Sequence, residues 1–214
     1  MNKTLKTLNE GFDRKYLNEA TYSADLGLAD KARLAENPNT PLDILSELAN
    51  DSEWYVREGV AKNPNTPADI LLKLAKDPDG YVRYYIASNP NTPPDILSKL
   101  AKDFDKDVRS CVAKHPNTTV DILLKLAKDK NHEVRKEVGS NSNTPLEALE
   151  LLAEDSHVYV RWRVAINSNT SVDILSKLAN DENEDVRKLA KDRLPYEFNQ
   201  DDFEYTDVDF DDFQ

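Results

Sequence analysis

Aspartate followed six residues later by arginine is the chemically capable pair that this chain repeats. It occurs as Asp51 and Arg57, Asp77 and Arg83, Asp103 and Arg109, Asp129 and Arg135, Asp155 and Arg161, and Asp181 and Arg187. A carboxylate and a planar guanidinium can form a two-pronged ion pair, and arginine can also hold a phosphate. Repetition favours a structural ladder of ion pairs and hydrogen bonds between adjacent turns, because a feature present in every unit serves what every unit shares. A row of phosphate-binding arginines is the rival reading. Other reactive side chains are sparse. His115, His132 and His157 are scattered over different units, and no cysteine or histidine pair has metal-ligand spacing. No catalytic residue, metal or cofactor is therefore expected. His115 replaces an asparagine at a repeated slot.

These residues recur because the chain repeats every 26 positions: Thr40, Thr66, Thr92, Thr118, Thr144 and Thr170 are evenly spaced without an insertion. Within a unit, Thr40 is expected to cap a helix, with Pro41 in its first turn and Asp43 completing a capping-box-like start. Ile44, Leu45 and Leu48 share one face of that helix, and Ala49 permits close approach of a neighbour. A second helix starts at Asp51 or two residues later, buries Val56 and Val60, and ends before the Asn63–Pro64 break. Helices this short can be partly of the tighter three-residue type. Asn39, Asn65, Asn91, Asn117, Asn143 and Asn169 are expected to satisfy turn backbone. The fold class that follows is all-α, an alpha solenoid of six two-helix repeats over residues 37–192. Residues 1–36 form an amino-terminal helical cap and half repeat, and residues 193–214 an acidic tail. Stacking supplies the shared core that one unit lacks.

The string Val56-Arg57-x-x-Val60-Ala61-x-Asn63-Pro64-Asn65-Thr66-Pro67-x-x-x-Leu71-x-x-Leu74-Ala75 resembles the leucine-rich repeat variant family, HEAT-like in style, over about 170 residues. The resemblance implies a helical scaffold. The founding type of that family is associated with an iron–sulfur cluster on a separate cysteine-rich segment. Here Cys111 is the sole cysteine, so that property does not carry over.

Function is expected where the units differ. On the outward face of the second helices, Tyr81 and Tyr84, and then Tyr159, Trp162 and Ile166, place large groups toward solvent, as interface anchors do. They could instead simply cover the stack. The first helices carry a ridge of Lys73, Lys76, Lys99, Lys102, Lys125 and Lys128. Asp69, Asp95 and Asp121 stand four residues before the first lysine of each pair, so this face is expected to be largely self-paired. It could also receive an acidic ligand.

Net charge is −12, and residues 195–214 hold eight acidic and no basic side chains, leaving −4 over residues 1–194. Aromatic residues alternate with these acids. Phe203, Tyr205, Asp209, Phe210, Asp211, Asp212 and Phe213 read as a docking motif, either for a partner or for the solenoid itself. The stretch Asp207–Phe213 resembles the acidic, phenylalanine-ending tips of bacterial single-stranded-DNA-binding proteins, with Gln214 a departure. Met1 is followed by a polar stretch, and no apolar window reaches the roughly 18 residues of a membrane span, so a cytoplasmic protein without a membrane partner is expected. The function that emerges is a non-enzymatic protein-binding adaptor or inhibitor whose partner is another protein, with basic or nucleic-acid-binding proteins among the candidates. The alternative is a nucleic-acid-related role, through mimicry by the tail, or through weak DNA binding or glycosylase-like activity at the lysine ridge. The overall negative charge opposes direct nucleic-acid binding.

Overall fold

Short apolar runs bounded by proline and asparagine fold here as short helices. The computed structural model describes residues 27–195, and among them are thirteen helices and no strand. Helix α1 spans Leu28–Glu36. Six pairs follow, each a seven-residue helix and then a longer one. They are α2 Leu42–Leu48 with α3 Trp54–Lys62, α4 Ala68–Leu74 with α5 Gly80–Ser88, and α6 Pro94–Leu100 with α7 Lys106–Lys114. The rest are α8 Val120–Leu126 with α9 His132–Ser140, α10 Leu146–Leu152 with α11 Val158–Ile166, and α12 Val172–Leu178 with α13 Glu184–Arg193. Residues 1–26 of the expected amino-terminal cap, and the tail motif, lie outside the described residues.

The long helices pack directly on one another from unit to unit, whereas each short helix packs chiefly against long ones. The array is thus wound more tightly on the long-helix side, which becomes its inner face. Between the two layers runs one continuous core. Leu45, Leu71, Leu97, Leu123 and Leu149 from the short helices meet Val56, Val82, Val108, Val134 and Val160 from the long ones, all fully buried. Helix α1 packs on α3 in the manner of a long helix, and Gly59 allows the approach.

The threonines do not cap the short helices. Those helices begin one residue later, with Pro41, Pro67, Pro93, Thr119, Pro145 and Ser171 at the cap position. Each threonine hydroxyl points backward and donates to the carbonyl six residues earlier, in the last turn of the preceding long helix. Thr66 meets Val60, Thr92 meets Ile86 and Thr170 meets Val164, each at 2.6 Å. The physical reason is that each of these last-turn carbonyls accepts the cap residue's N–H with one lone pair and keeps a second, and a buried hydroxyl costs less when it donates there. The long helices are capped by the residue two after each ladder aspartate, with side-chain caps from Asp79, Asp105, Asn131 and Asn183.

Candidate functional site

The repeated polar residues are consumed in joining units. Arg109 shows the pattern. Its Nε and Nη2 grip the carboxylate of Asp129 at 2.6 and 3.0 Å, while Nη1 donates to the backbone carbonyls of Asp103 and Phe104 at 2.7 and 3.1 Å. The six-residue spacing therefore reaches the aspartate's carbonyl, and its carboxylate pairs with the arginine of the preceding unit, twenty residues earlier. Arg57–Asp77, Arg83–Asp103, Arg135–Asp155 and Arg161–Asp181 make the same rung. Lys31 supplies the first rung to Asp51 at 2.9 Å. Arg187 meets the carbonyls of Asp181 and Glu182. Each ladder aspartate also accepts a backbone N–H two residues on, such as that of Asn131 on Asp129. Arg57, Arg83, Arg109, Arg135 and Arg161 have both guanidinium edges engaged, which leaves these five no free edge for a phosphate.

Two asparagine series add a second seam. Asn63, Asn89, Asn141 and Asn167 are buried, and each Nδ2 donates to two carbonyls of the preceding unit; for Asn63 these are Ala35 and Asn37, at 2.8 and 2.7 Å. His115 takes the asparagine's place by the same chemistry. Its Nε2 lies 2.9 Å from the Asn89 carbonyl and its Nδ1 accepts the Asn117 N–H at 3.0 Å, so the ring is the Nε2–H tautomer. Arg193 closes the series, with Nη1 on the carbonyls of Ala165 and Asn167 at 2.6 and 2.8 Å. The asparagines singled out from sequence, such as Asn65 and Asn143, donate to Pro38 and Pro116 of the turn before, bridging units rather than closing their own turn.

The singular residues sit on the inner face. Tyr81, Tyr159 and Ile166 are exposed, whereas Tyr84 and Trp162 are half-buried against the core. They form two clusters, one on α5 and one on α11, with α7 and α9 between them. Sequence reasoning missed several neighbours. Trp54 stacks on Tyr81 with ring centroids 5.6 Å apart, and Tyr85 lies edge-on to Tyr84 at 5.2 Å. His132 and His157, from adjacent units, stack at 3.8 Å, and Tyr159 lies 5.6 Å from His157. Cations already rest on some of these rings: Lys62 is 4.3 Å from the Tyr85 centroid and Arg163 5.1 Å from that of Trp162.

On the opposite face, the lysines of the ridge are all exposed. Of the anticipated four-residue pairs, Asp95–Lys99 forms, at 3.8 Å, while Lys73 reaches Asn50 of the preceding unit instead. Cys111 is half-buried, and burial pushes its thiol up, with Ser88 and Tyr84 only partly offsetting that. A raised thiol is a poor nucleophile. Among the described residues no group of three or more histidine, cysteine or acidic side chains could hold a metal ion.

The repeat and its helical stacking are shared with known proteins. Residues 54–79 and 132–157 match the leucine rich repeat variant family. A solved structure described as a leucine-rich repeat variant with a novel repetitive protein structural motif is 30% identical, with a TM-score of 0.67 over 83% of this chain and 71% of that one. The chain belongs to the leucine-rich repeat variant family. No curated protein matches it. Within this variant repeat, the rungs and asparagine seams are what every unit holds in common, and the aromatic clusters are what single units add. No helix among the described residues is long and apolar enough to cross a membrane.

Proposed function

We infer that this leucine-rich repeat variant protein is a non-enzymatic binding scaffold, an adaptor or inhibitor that holds another protein on its inner face. The observation that carries this reading is the division of labour between repeated and singular residues. The repeated polar side chains are spent on joining units, while Tyr81 and Tyr159, at 64% and 61% exposed, present rings to solvent beside Trp54 and Ile166. Large amphipathic groups on a rigid surface are the residues that anchor interfaces. The acidic aromatic tail after Pro195 is a second contact surface in this reading. Affinity capture followed by mass spectrometry tests both, using the wild-type chain, a Tyr81→Ala/Tyr159→Ala variant and a chain ending at Leu194. A partner that depends on the two tyrosines supports the inner face; one retained equally by all three chains removes both surfaces.

The exposed lysines of the short helices favour one other reading, a nucleic-acid-related role. Retention on duplex DNA at low salt that weakens steeply with added salt, and is lost on neutralising Lys99, Lys102 and Lys125, is the behaviour this reading requires.

A further inference from the structure

Between the two aromatic clusters the inner face sinks into a groove of about 1020 Å³, floored by α5, α7 and α9. Tyr81, Tyr84 and Tyr85 form one wall. Carboxylates from Asp79, Asp105, Asp107, Glu133 and Glu137 line the rest, against the ammonium groups of Lys106 and Lys114. Lys136, at the rim, pairs with Glu133 and Glu137. Counting Lys136 and, at the Tyr85 wall, Lys62 with its partner Glu58, six negative charges face four positive ones, so the groove holds a surplus of two. Asp79 and Asp105 each spend one oxygen on capping a helix, accepting from the N–H groups of Tyr81 and Asp107. In addition, the Ser110 hydroxyl on the groove floor is shielded from solvent and has no hydrogen-bond partner among the described residues. That oxygen is covered by the protein's own atoms, so the contacts the groove offers are its rings and carboxylates.

We propose that this groove binds an extended, arginine- or lysine-rich peptide segment of a partner protein. The proposal rests on the scaffold reading above and names the chemistry of what the scaffold holds. A cation suits the site twice over, through the surplus carboxylates and through the ring faces. The protein already sets its own cations on such rings, Lys62 on Tyr85 of the groove wall, which leaves Tyr81 and Tyr84 to a ligand, and Arg83 on Phe104, 4.5 Å from the centroid. Three neighbouring long helices at about 10 Å spacing span roughly 20 Å, the reach of about six extended residues. Arginine is preferred over lysine here, because its planar head can stack on a tyrosine and fork a carboxylate at the same time.

The test uses the full chain and a fluorescently labelled oligo-arginine peptide, with oligo-lysine and oligo-glutamate peptides of equal length for comparison. Asp79→Asn/Asp105→Asn keeps both helix caps, as Asn131 does in its own unit, and removes two charges. Tyr81→Ala removes an exposed ring without touching the core. Unchanged thermal transitions establish that each variant is folded. Oligo-arginine is expected to bind more tightly than oligo-lysine, and oligo-glutamate not to bind. Each variant is expected to weaken oligo-arginine at least tenfold. A full-length chain whose eight tail acids are replaced by their amides is the decisive companion. Binding that survives tail neutralisation and fails in the groove variants supports the groove. Binding that fails on tail neutralisation and survives in the groove variants, or no binding of oligo-arginine to the wild-type chain, overturns the proposal. If peptide binding fails in this way while protein capture still depends on Tyr81 and Tyr159, the scaffold reading stands and only the partner's chemistry falls.

Discussion

Arg109 makes four hydrogen bonds to three residues while only 6% exposed, so its contribution depends on a shape as well as a charge. Arg109→Lys keeps the charge but has one compact donor group, which cannot hold the Asp129 fork and the Asp103 and Phe104 carbonyls together. Leaving buried acceptors unpaired costs about 1–3 kcal/mol, and the urea midpoint is expected to fall accordingly. Arg187→Lys is the internal comparison. Arg187 holds backbone carbonyls but lies on the last unit without a further rung, so its loss should be measurably smaller. Equal losses at the two sites would show that the carboxylate rung adds nothing to stability. His115 gives the converse case. Because its ring reproduces an asparagine's acceptor and donor, His115→Asn is expected to change stability by less than about 1 kcal/mol. His115→Ala leaves the Asn117 N–H without its acceptor and the Asn89 carbonyl with the Thr92 N–H alone, and should cost about 1–3 kcal/mol in the same urea experiment.

At the scale of the helix, stability is a matter of approach. Gly59 sits on α3 where a Cβ would lie 2.8 Å from both the Ala32 carbonyl oxygen and the Ala35 methyl of α1. Backbone cannot yield as a flexible side chain does, so Gly59→Ala is expected to push α1 off α3. Overpacking of this kind costs about 1–3 kcal/mol, and it should appear as faster amide exchange in α1 with little change in α9 or α11. Uniform acceleration along the array would mean that the end helix is not a separate unit. The helices themselves were legible in the sequence: apolar residues fall at helical spacing, and Asn-Pro pairs stop α1, α3 and α5, with His115-Pro116, Asn141-Ser142 and Asn167-Ser168 at the same slot in later units. The threonine's role was not. A hydroxyl in the turn between two helices can serve the start of one or the end of the other, and sequence distance is similar for both. Only the packing, which buries the hydroxyl against the preceding helix, decides between them. Trp54 escaped notice for a related reason. It stands at the first helical residue, to one side of the face defined by Val56 and Val60, and its partner Tyr81 belongs to the next unit. Of the five anchor residues expected to face solvent, Tyr81, Tyr159 and Ile166 are exposed and Tyr84 and Trp162 are half-buried, and periodicity, which treats that face as flat, does not reveal the groove between them.

At the scale of the whole array, the rungs act in concert and tie stability to pH. Asp129, Asp155 and Asp181 are drawn away from solvent, which alone would lift their carboxyls, yet a guanidinium fork and a backbone N–H more than offset this and hold all three below the ordinary 3.8. Asp51 is lowered in the same way, against its burial, by the Glu53 N–H and by Lys31. A carboxyl that binds its proton less readily in the folded chain than in the unfolded one stabilises the fold fully above the unfolded pKa of about 3.9. That stabilisation is lost as pH falls through the depressed folded value. Stability is therefore expected to stay nearly level from about pH 7 to about pH 5 and to drop below about pH 4. The measurement is urea unfolding as a function of pH, in salt high enough to screen exposed pairs such as Lys177–Glu154. Arg109→Gln/Arg135→Gln supplies the control, since it removes two rungs without adding charge. The variant is expected to be less stable at neutral pH and to converge on the wild-type curve in acid, where protonated aspartates no longer reward the arginine. Parallel curves separated by a constant gap would place the arginines' effect in packing and carbonyl bonds alone. Convergence would show that charge pairing between neighbours is what holds successive units in register, leaving the inner face a rigid surface whose carboxylates and rings stay in place for a ligand.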